Sequence, residues 1–284
     1  MNYRILKTLL CASVFVSAMI TVGMSVSIHG QTTVVTPTSS QGWSTADTRP
    51  GGAVNFVLDS TAPAGVGALQ LTSNATTTSK AQYMHAANTP LANVIDLSYW
   101  TKQVSAPFAG ANASYQLPVC LGGFNSPVTF TNPSGCTGFT TFVFEPYQNN
   151  GSAPPSPLVV PNQWQYWDVD AGQFWSSRTV NAGGACVVVA GFGGPPFYSL
   201  AQLQTNCPNA IAVGFGVNIG SNNPSYDVYT DLVTFNSVTY DFEPFAVAAD
   251  KDQCKNGGWM TFRRADGSSF KNQGDCVQYV NTGN

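Results

Sequence analysis

Residues 211–220 read IAVGFGVNIG, and this stretch decides the fold class. Apolar side chains stand at every second position, whereas the positions between them hold Ala, Gly and Asn. Alternation with a period of two predicts a β-strand. The strand should bury one face, made of Ile211, Val213, Phe215, Val217 and Ile219. The other face is almost bare backbone, which indicates close approach by a loop, the C-terminal tail or a ligand.

Similar alternation recurs along the chain, at 53–59, 67–73, 97–104, 113–119, 139–147 and 162–170. Asn236-Ser237 predicts a two-residue turn between two further strands. One helical turn is expected at 199–208, capped by Ser199. Only 9% of residues are charged, and Gly and Pro are abundant. These features predict an all-β protein, an antiparallel two-sheet β-sandwich of the jelly-roll type.

The N-terminus has the pattern of an export signal. Arg4 and Lys7 precede an apolar run that extends from Leu9 to about Ile28. Residues 1–30 are therefore predicted to be a signal peptide, with an uncleaved anchor as the alternative. No later run is long enough to span a bilayer, so we expect a secreted, extracellular or cell-surface protein. The sandwich is assigned to 31–244, a linker to 245–253 and a small module to 254–284.

Six cysteines follow the signal, and pairing between sequence neighbours is the simplest of 15 possible arrangements. The predicted disulfides are Cys120–Cys136, Cys186–Cys207 and Cys254–Cys276. A zinc site is the alternative, but the chain lacks a CxxC motif and has His85 as the single histidine after the signal.

The charge is unevenly distributed. Residues 31–250 contain four Lys and Arg against eleven Asp and Glu, whereas residues 251–284 contain five against three. A basic excess of this size is too small to indicate nucleic-acid binding.

Glu145 and Glu243 are the only glutamates, and each stands in a Phe-Glu-Pro triplet at the expected end of a strand. Two carboxylates could serve a glycosidase as acid and as base or nucleophile. The alternative is that Glu-Pro simply terminates each strand.

Aromatic and short polar residues alternate at 162–175. Trp164, Tyr166 and Asp168 should project from one face, with Trp175 in a following loop. Aromatic rings stack on sugars and short polar groups bind hydroxyls, so these four residues are the candidate ligand site. The alternative is that the rings fill the core, as expected for Trp167.

No cofactor is predicted, although a structural calcium ion is possible in chemical terms. Asp59, Asp227, Asp231 and Asp241 offer oxygen ligands, but the chain contains no DxDxDG loop.

The stretch from Cys254 to Cys276 predicts a compact, disulfide-closed hairpin with a turn at Arg264-Ala265-Asp266-Gly267 and an aromatic core. The sequences CKNGGW (254–259) and FKNQGDCVQYV (270–280) resemble a C-terminal signature of exported bacterial proteins of uncharacterised function. The stretches 65–71, 144–149 and 229–244 are similar to the jelly-roll body of those proteins. That resemblance implies a fold like carbohydrate-binding modules and lectins, and no established activity.

The leading interpretation is a secreted, non-catalytic β-sandwich that binds glycan or a cell-surface component. One alternative is a secreted carbohydrate-active enzyme that uses Glu145 and Glu243. Another is a structural envelope or matrix protein without a small ligand. The sequence predicts no oligomeric state.

Overall fold

A computed structural model describes residues 30–125, 127–149 and 158–283 of the chain. The export-signal prediction lies outside the described residues, except for Gly30. Within these three ranges, no helix is both long enough and apolar enough to cross a membrane.

The described residues form sixteen strands and two α-helices. The strands are β1 (Gln31–Val35), β2 (Trp43–Ser44), β3 (Gly52–Leu58), β4 (Gly67–Ser73), β5 (Ala81–Pro90), β6 (Leu97–Ser105), β7 (Ser114–Cys120), β8 (Phe139–Phe144), β9 (Trp164–Asp168), β10 (Gln173–Ser176), β11 (Val180–Asn181), β12 (Val187–Val188), β13 (Phe197–Ser199), β14 (Ile211–Ile219), β15 (Asp227–Phe235) and β16 (Val238–Phe242). The α-helices are α1 (Leu200–Asn206) and α2 (Gln273–Thr282), and single 3-10 turns lie at Leu91–Asn93, Pro146–Asn149 and Gly258–Met260.

Two seven-stranded sheets form the body. In the first sheet, β1, β16, β15, β4 and β3 are successive neighbours, while β6 pairs with β15 and carries β9 at its outer edge. In the second sheet the order is β13-β10-β8-β7-β14-β5-β2. Every pair in the two sheets is antiparallel except β1 with β16. Strands β11 and β12 form a separate two-stranded ribbon.

The late strands are inserted between early ones in both sheets. Strand β14 lies between β5 and β7, and its successor β15 lies between β4 and β6 in the other sheet. Two successive strands, one in each sheet, are thus inserted between earlier strands, which is typical of a jelly roll. The predicted all-β, antiparallel two-sheet sandwich is therefore confirmed.

The core lies between the sheets and is rich in aromatic rings. Trp43 packs with ring centroids 5.0–5.4 Å from Tyr83 and Phe215 of the second sheet and from Tyr240 and Phe242 of the first. Full burial of one large apolar side chain contributes about 1.5–3 kcal/mol, so this contact holds the two sheets together.

Trp167 is buried as predicted, and its indole nitrogen donates a 2.7 Å hydrogen bond to the buried Thr101 hydroxyl. This bond satisfies the polar atom of a ring that otherwise contacts apolar neighbours.

Strand β14 differs from the predicted single apolar face. Its pairing with β5 shifts register between Ala212 and Gly214, and this irregularity reverses the alternation. Phe215, Val217 and Ile219 face the main core as predicted, together with Ala212. The prediction was wrong for Ile211 and Val213, which pack instead with Cys120 and Val128 in a smaller cluster.

The predicted two-residue turn and the predicted helix cap are both present. Asn236 adopts a positive φ of 54° in the two-residue turn between β15 and β16. Ser199 caps α1 in a capping box with Gln202.

All three predicted disulfides are present: Cys120–Cys136, Cys186–Cys207 and Cys254–Cys276. The first closes the loop between β7 and β8, and the second ties α1 to the segment before β12.

The C-terminal module has its own small core. Phe270 is buried with the Cys254–Cys276 disulfide, and Trp259 and Phe262 pack against them. The predicted turn forms, with the Gly267 amide donating to the Arg264 carbonyl, and an antiparallel bridge joins Arg263 to Ser269.

The module also differs from a simple hairpin, because its last part is the helix α2. Asn272 caps this helix by accepting from the Asp275 amide, and Gly283 ends it in the left-handed conformation. The expected linker 245–253 is not a free connection either. Val247 bridges to Arg263 and Ala248 is buried in the module core, so this segment belongs to the module.

Candidate functional site

A row of residues crosses the outer face of the second sheet. Met84 on β5 pairs with Gly216 on β14, which pairs with Gln116 on β7. Gln116 pairs with Val143 on β8, which pairs with Trp175 on β10. Directly paired residues project from the same face of a sheet. Gly216 itself has no side chain, and the Met84 sulfur covers it, lying 2.8 Å from where a Cβ would stand.

A groove with a volume of about 570 Å³ follows this part of the sheet. It combines amide and hydroxyl groups with aromatic rings, charged groups and aliphatic surface. Its lining residues are Ala46, Asp47, Lys80, Gln82, Met84, Gln116, Pro118, Phe130, Thr131, Pro133, Phe139, Thr141 and Arg178.

One wall of the groove is formed by Phe130, Thr131 and Pro133, which lie in the loop closed by the Cys120–Cys136 disulfide. Phe130 of this loop lies over Gly214, where an added Cβ would be only 2.9 Å from the ring. Close approach to the glycine face was predicted, and at Gly214 the approaching element is this loop. The Cys120–Cys136 disulfide restrains both ends of the loop and so restrains the position of Phe130.

Charged groups stand at two sides of the groove. On one side Asp47 forms ion pairs with Lys80 and with Arg49, the latter at 3.8 Å. On the other side Arg178 is exposed, and the carbon of its guanidinium lies 5.2 Å from the centroid of the Phe139 ring. This is the geometry of a cation–π contact, which orients the guanidinium beside the groove.

The candidate aromatic residues are divided between the two sheets. Trp164, Tyr166 and Asp168 lie on the outward face of β9 in the first sheet, as their alternation predicts. Trp175 lies on β10 of the second sheet, in the row that crosses the groove-bearing face.

The side chains on β9 have different surroundings. The Trp164 indole donates a 3.2 Å hydrogen bond to Asp59, which also forms an ion pair of 2.6 Å with Lys102. Tyr166 is 48% exposed and packs against Trp100, with ring centroids 5.7 Å apart. These rings form an exposed aromatic pair, not a groove.

Glu145 follows β8 and is held by Trp175. The Trp175 indole donates a 2.8 Å hydrogen bond to the Glu145 carboxylate. Burial raises the pKa of Glu145, although the hydrogen bonds from Trp175 and Tyr147 act in the opposite direction.

Glu243 follows β16 in the other sheet and belongs to a different cluster. Its carboxylate accepts a 2.9 Å hydrogen bond from the Val66 amide and interacts with Asp241. Burial raises the pKa of Glu243 to about 7, and the neighbouring Asp241 contributes to the rise. Glu145 interacts with Trp175 and Tyr147, whereas Glu243 interacts with Val66 and Asp241. No residue in these two sets is shared, so the structure does not bring the two glutamates together in one site.

The Glu243 cluster also contains Asp231. Burial, the largest effect, raises the pKa of Asp231, and the charges of Asp241 and Glu243 add to it. One carboxylate oxygen on each of the three side chains is buried without a hydrogen-bond partner. Gly65 makes room for Glu243, because a Cβ there would lie 1.5 Å from the Glu243 carboxylate.

Two of the four aspartates considered for calcium have other partners. Asp59 binds Lys102, Thr61 and Trp164, and Asp227 accepts a 2.9 Å hydrogen bond from Gln70. Asp231 and Asp241 lie together, with Glu243 as a neighbour that the sequence prediction did not include. No group of three or more His, Cys, Asp or Glu among residues 30–125, 127–149 and 158–283 is arranged to hold a metal ion. The calcium site stays a prediction.

The sequence analysis did not identify Gln116, Phe139 or Arg178 as site residues. The available signal was the bare face of 211–220, which marked where the sheet lacks side chains. The strands that flank β14 could not be read from that stretch alone.

The chain was also compared with known proteins. No family model matches it, and no curated protein matches it. A similar solved structure is the family 11 carbohydrate-binding module of the cellulosomal cellulase Lic26A-Cel5E of Clostridium thermocellum. It is 10% identical, with a TM-score of 0.35, covering 71% of this chain and 89% of that chain.

A second structure is the family 11 module from Clostridium thermocellum in complex with a β-1,3-1,4-mixed-linked tetrasaccharide. It is 11% identical, with a TM-score of 0.35, covering 71% of this chain and 91% of that chain. A likeness of this size does not extend the ligand of those modules to this chain.

Proposed function

We propose that this protein is an exported, non-catalytic β-sandwich that binds a polysaccharide chain along the groove on the outer face of its second sheet. The observation that carries the proposal is the groove itself, which has a volume of about 570 Å³ and a mixed polar and aromatic lining.

The chemistry of the lining suits a sugar chain. Phe130 and Phe139 offer ring surface for the C–H faces of sugar rings. Gln116, Thr131 and Thr141 offer an amide and two hydroxyls for sugar hydroxyl groups.

Export is supported by the three disulfides, because disulfides form and persist mainly in oxidising compartments outside the cytosol. The signal peptide and the relation to exported bacterial proteins remain predictions of the sequence. An exported binding protein with a groove would meet glycans or cell-surface components, which are the partners proposed from the sequence.

The enzyme alternative would require Glu145 and Glu243 to act on one bond. Their positions after β8 and after β16 place them at the ends of strands in different sheets. This favours the binding proposal. Reducing-sugar release that disappears in Glu145→Gln would reverse that preference.

The test is binding to a panel of soluble polysaccharides by affinity electrophoresis. A double variant, Gln116→Ala with Phe139→Ala, removes an amide and a ring from the groove. Its matched control, Trp164→Ala with Tyr166→Ala, removes two rings from β9. We expect the first to abolish retardation by a bound polymer and the second to preserve it, with both variants folded by circular dichroism. The opposite pattern would move the site to β9, and no retardation by any polymer would reject the proposal.

A further inference from the structure

We propose that the groove selects acidic polysaccharides, with carboxylate groups on their sugar rings, over neutral chains of the same backbone. This inference rests on the proposed function, because it names the class of glycan that the groove takes.

The first argument is the placement of basic side chains. Residues 31–250 contain four Lys and Arg, namely Arg49, Lys80, Lys102 and Arg178, against eleven acidic residues. Lys80 and Arg178 line the groove, and Arg49 forms an ion pair with the lining residue Asp47. Two of the four cations of an acidic body therefore line this groove, and a third pairs with one of its lining residues.

The second argument is the shortage of carboxylates to neutralise them. Asp47 is the one acidic residue among the lining residues, and both Lys80 and Arg49 pair with it. Three positive charges against one negative charge leave a local excess of two. The fourth cation, Lys102, is paired with Asp59 in the other sheet.

The third argument is the state of Arg178. Its guanidinium lies beside the Phe139 ring and forms no ion pair with any carboxylate of the described ranges. A planar guanidinium with free N–H groups binds a carboxylate through two parallel hydrogen bonds. Phe139 would then contact the sugar ring while Arg178 binds its carboxylate.

The remaining surface would oppose a polyanion. The rest of the body is acidic, so an acidic chain gains attraction only at the groove, where Lys80 and Arg178 face it. An attraction of this kind between exposed charges weakens with salt, since the screening length falls to about 8 Å at physiological ionic strength.

The experiment uses two matched pairs of polymers with the full-length exported protein. One pair is polygalacturonate and its methyl ester, and the other is carboxymethylcellulose and hydroxyethylcellulose. Affinities are measured by calorimetry in 20 mM and 200 mM NaCl, with a single-stranded oligothymidylate as a non-sugar polyanion. In at least one pair we expect about tenfold tighter binding of the acidic polymer at low salt, and a smaller ratio at high salt.

Variants test whether Arg178 causes the preference. Arg178→Gln should reduce the acidic-to-neutral ratio by about tenfold, and Arg178→Lys should give an intermediate ratio because it keeps the charge but loses the planar fork. Lys271→Gln is the matched control, since it removes one exposed positive charge from the C-terminal module. Unchanged melting temperatures show that the variants are folded.

Several results would overturn the inference. Equal binding within both pairs, or a preference for the neutral polymers, would reject acidic selectivity while leaving polysaccharide binding intact. If oligothymidylate bound as tightly as the acidic polymers, the groove would bind polyanions in general, and selective recognition of acidic sugars would be rejected. No binding to these polymers or to the wider panel would reject both this inference and the proposed function.

Discussion

Replacing Glu243 by glutamine should remove a large part of the pH dependence of stability. Glu243 is 4% exposed, and its carboxylate lies close to those of Asp231 and Asp241. Burial raises its pKa in the folded state to about 7, from an ordinary value of 4.5. The folded chain therefore holds a proton that the unfolded chain releases over this range.

The direction of the effect follows from proton linkage. Below pH 4.5 the carboxyl group is protonated in both states, and the stability associated with this group is fully present. As pH rises from 4.5 to about 7, the unfolded state ionises while the folded state stays protonated, so the free energy of unfolding falls. The difference between the two pKa values corresponds to a loss of about 3 kcal/mol.

The assay is urea unfolding between pH 4.5 and 8, followed by tryptophan fluorescence in buffers that contain EDTA. Glu243 alone should lower the wild-type free energy of unfolding by about 3 kcal/mol across this range, and the raised pKa values of Asp231 and Asp241 should lower it further. Glutamine resembles a protonated glutamate and can still accept from the Val66 amide, so Glu243→Gln should give a much flatter profile. A wild-type profile that is flat would refute the reasoning. Stability that rises with pH after Ca²⁺ is added would support the calcium prediction instead.

Three further predictions concern stability. Cys254→Ser with Cys276→Ser should expose the C-terminal module to limited proteolysis while leaving the melting of the sandwich nearly unchanged, because closing this loop contributes about 3 kcal/mol. If the melting temperature of the sandwich fell together with the protease resistance of the module, the module and the body would unfold as one unit. Trp167→Phe should lower the free energy of unfolding by about 1–3 kcal/mol in urea, since the buried Thr101 hydroxyl loses its donor; an unchanged midpoint would contradict this. Gly65→Ala should destabilise the protein by more than about 1 kcal/mol in the same assay, because φ is +58° and the new Cβ would collide with Glu243. A neutral effect would mean that the Glu243 carboxylate is free to move away.

Much of the fold could be predicted because its signals are local. The alternation at 211–220, the Asn236-Ser237 turn and the Ser199 cap each depend on a few adjacent residues. The disulfides join sequence neighbours, so they also followed from local spacing.

The errors arose where partner strands decide the outcome. The irregularity at Ala212–Gly214 depends on the register of β14 against β5 and β7, and the sequence of β14 alone does not indicate it. In the C-terminal module, Ala248 is buried by residues from Cys254 onward, which made an apparent linker part of a core.

The sequence predicted the kinds of side chain in the candidate site, namely aromatic rings beside short polar groups, but not which residues form it. The groove combines residues from 46 to 178, which lie on three strands and four loops, so their proximity depends on sheet order. Trp175 alone among the four predicted ligand residues lies on the strand row of the groove-bearing face. Local sequence patterns do not show the strand order, which places β14 between β5 and β7.

The most direct test of polysaccharide binding in the groove is an NMR footprint. Amide and indole resonances of ¹⁵N-labelled protein are recorded during titration with an oligosaccharide cut from the polymer that binds best. We predict that shifts concentrate on the amides of Gln116, Thr141 and Arg178, with little change at the Trp164 indole. Shifts confined to Trp164, Tyr166 and their neighbours on β9 would contradict the account.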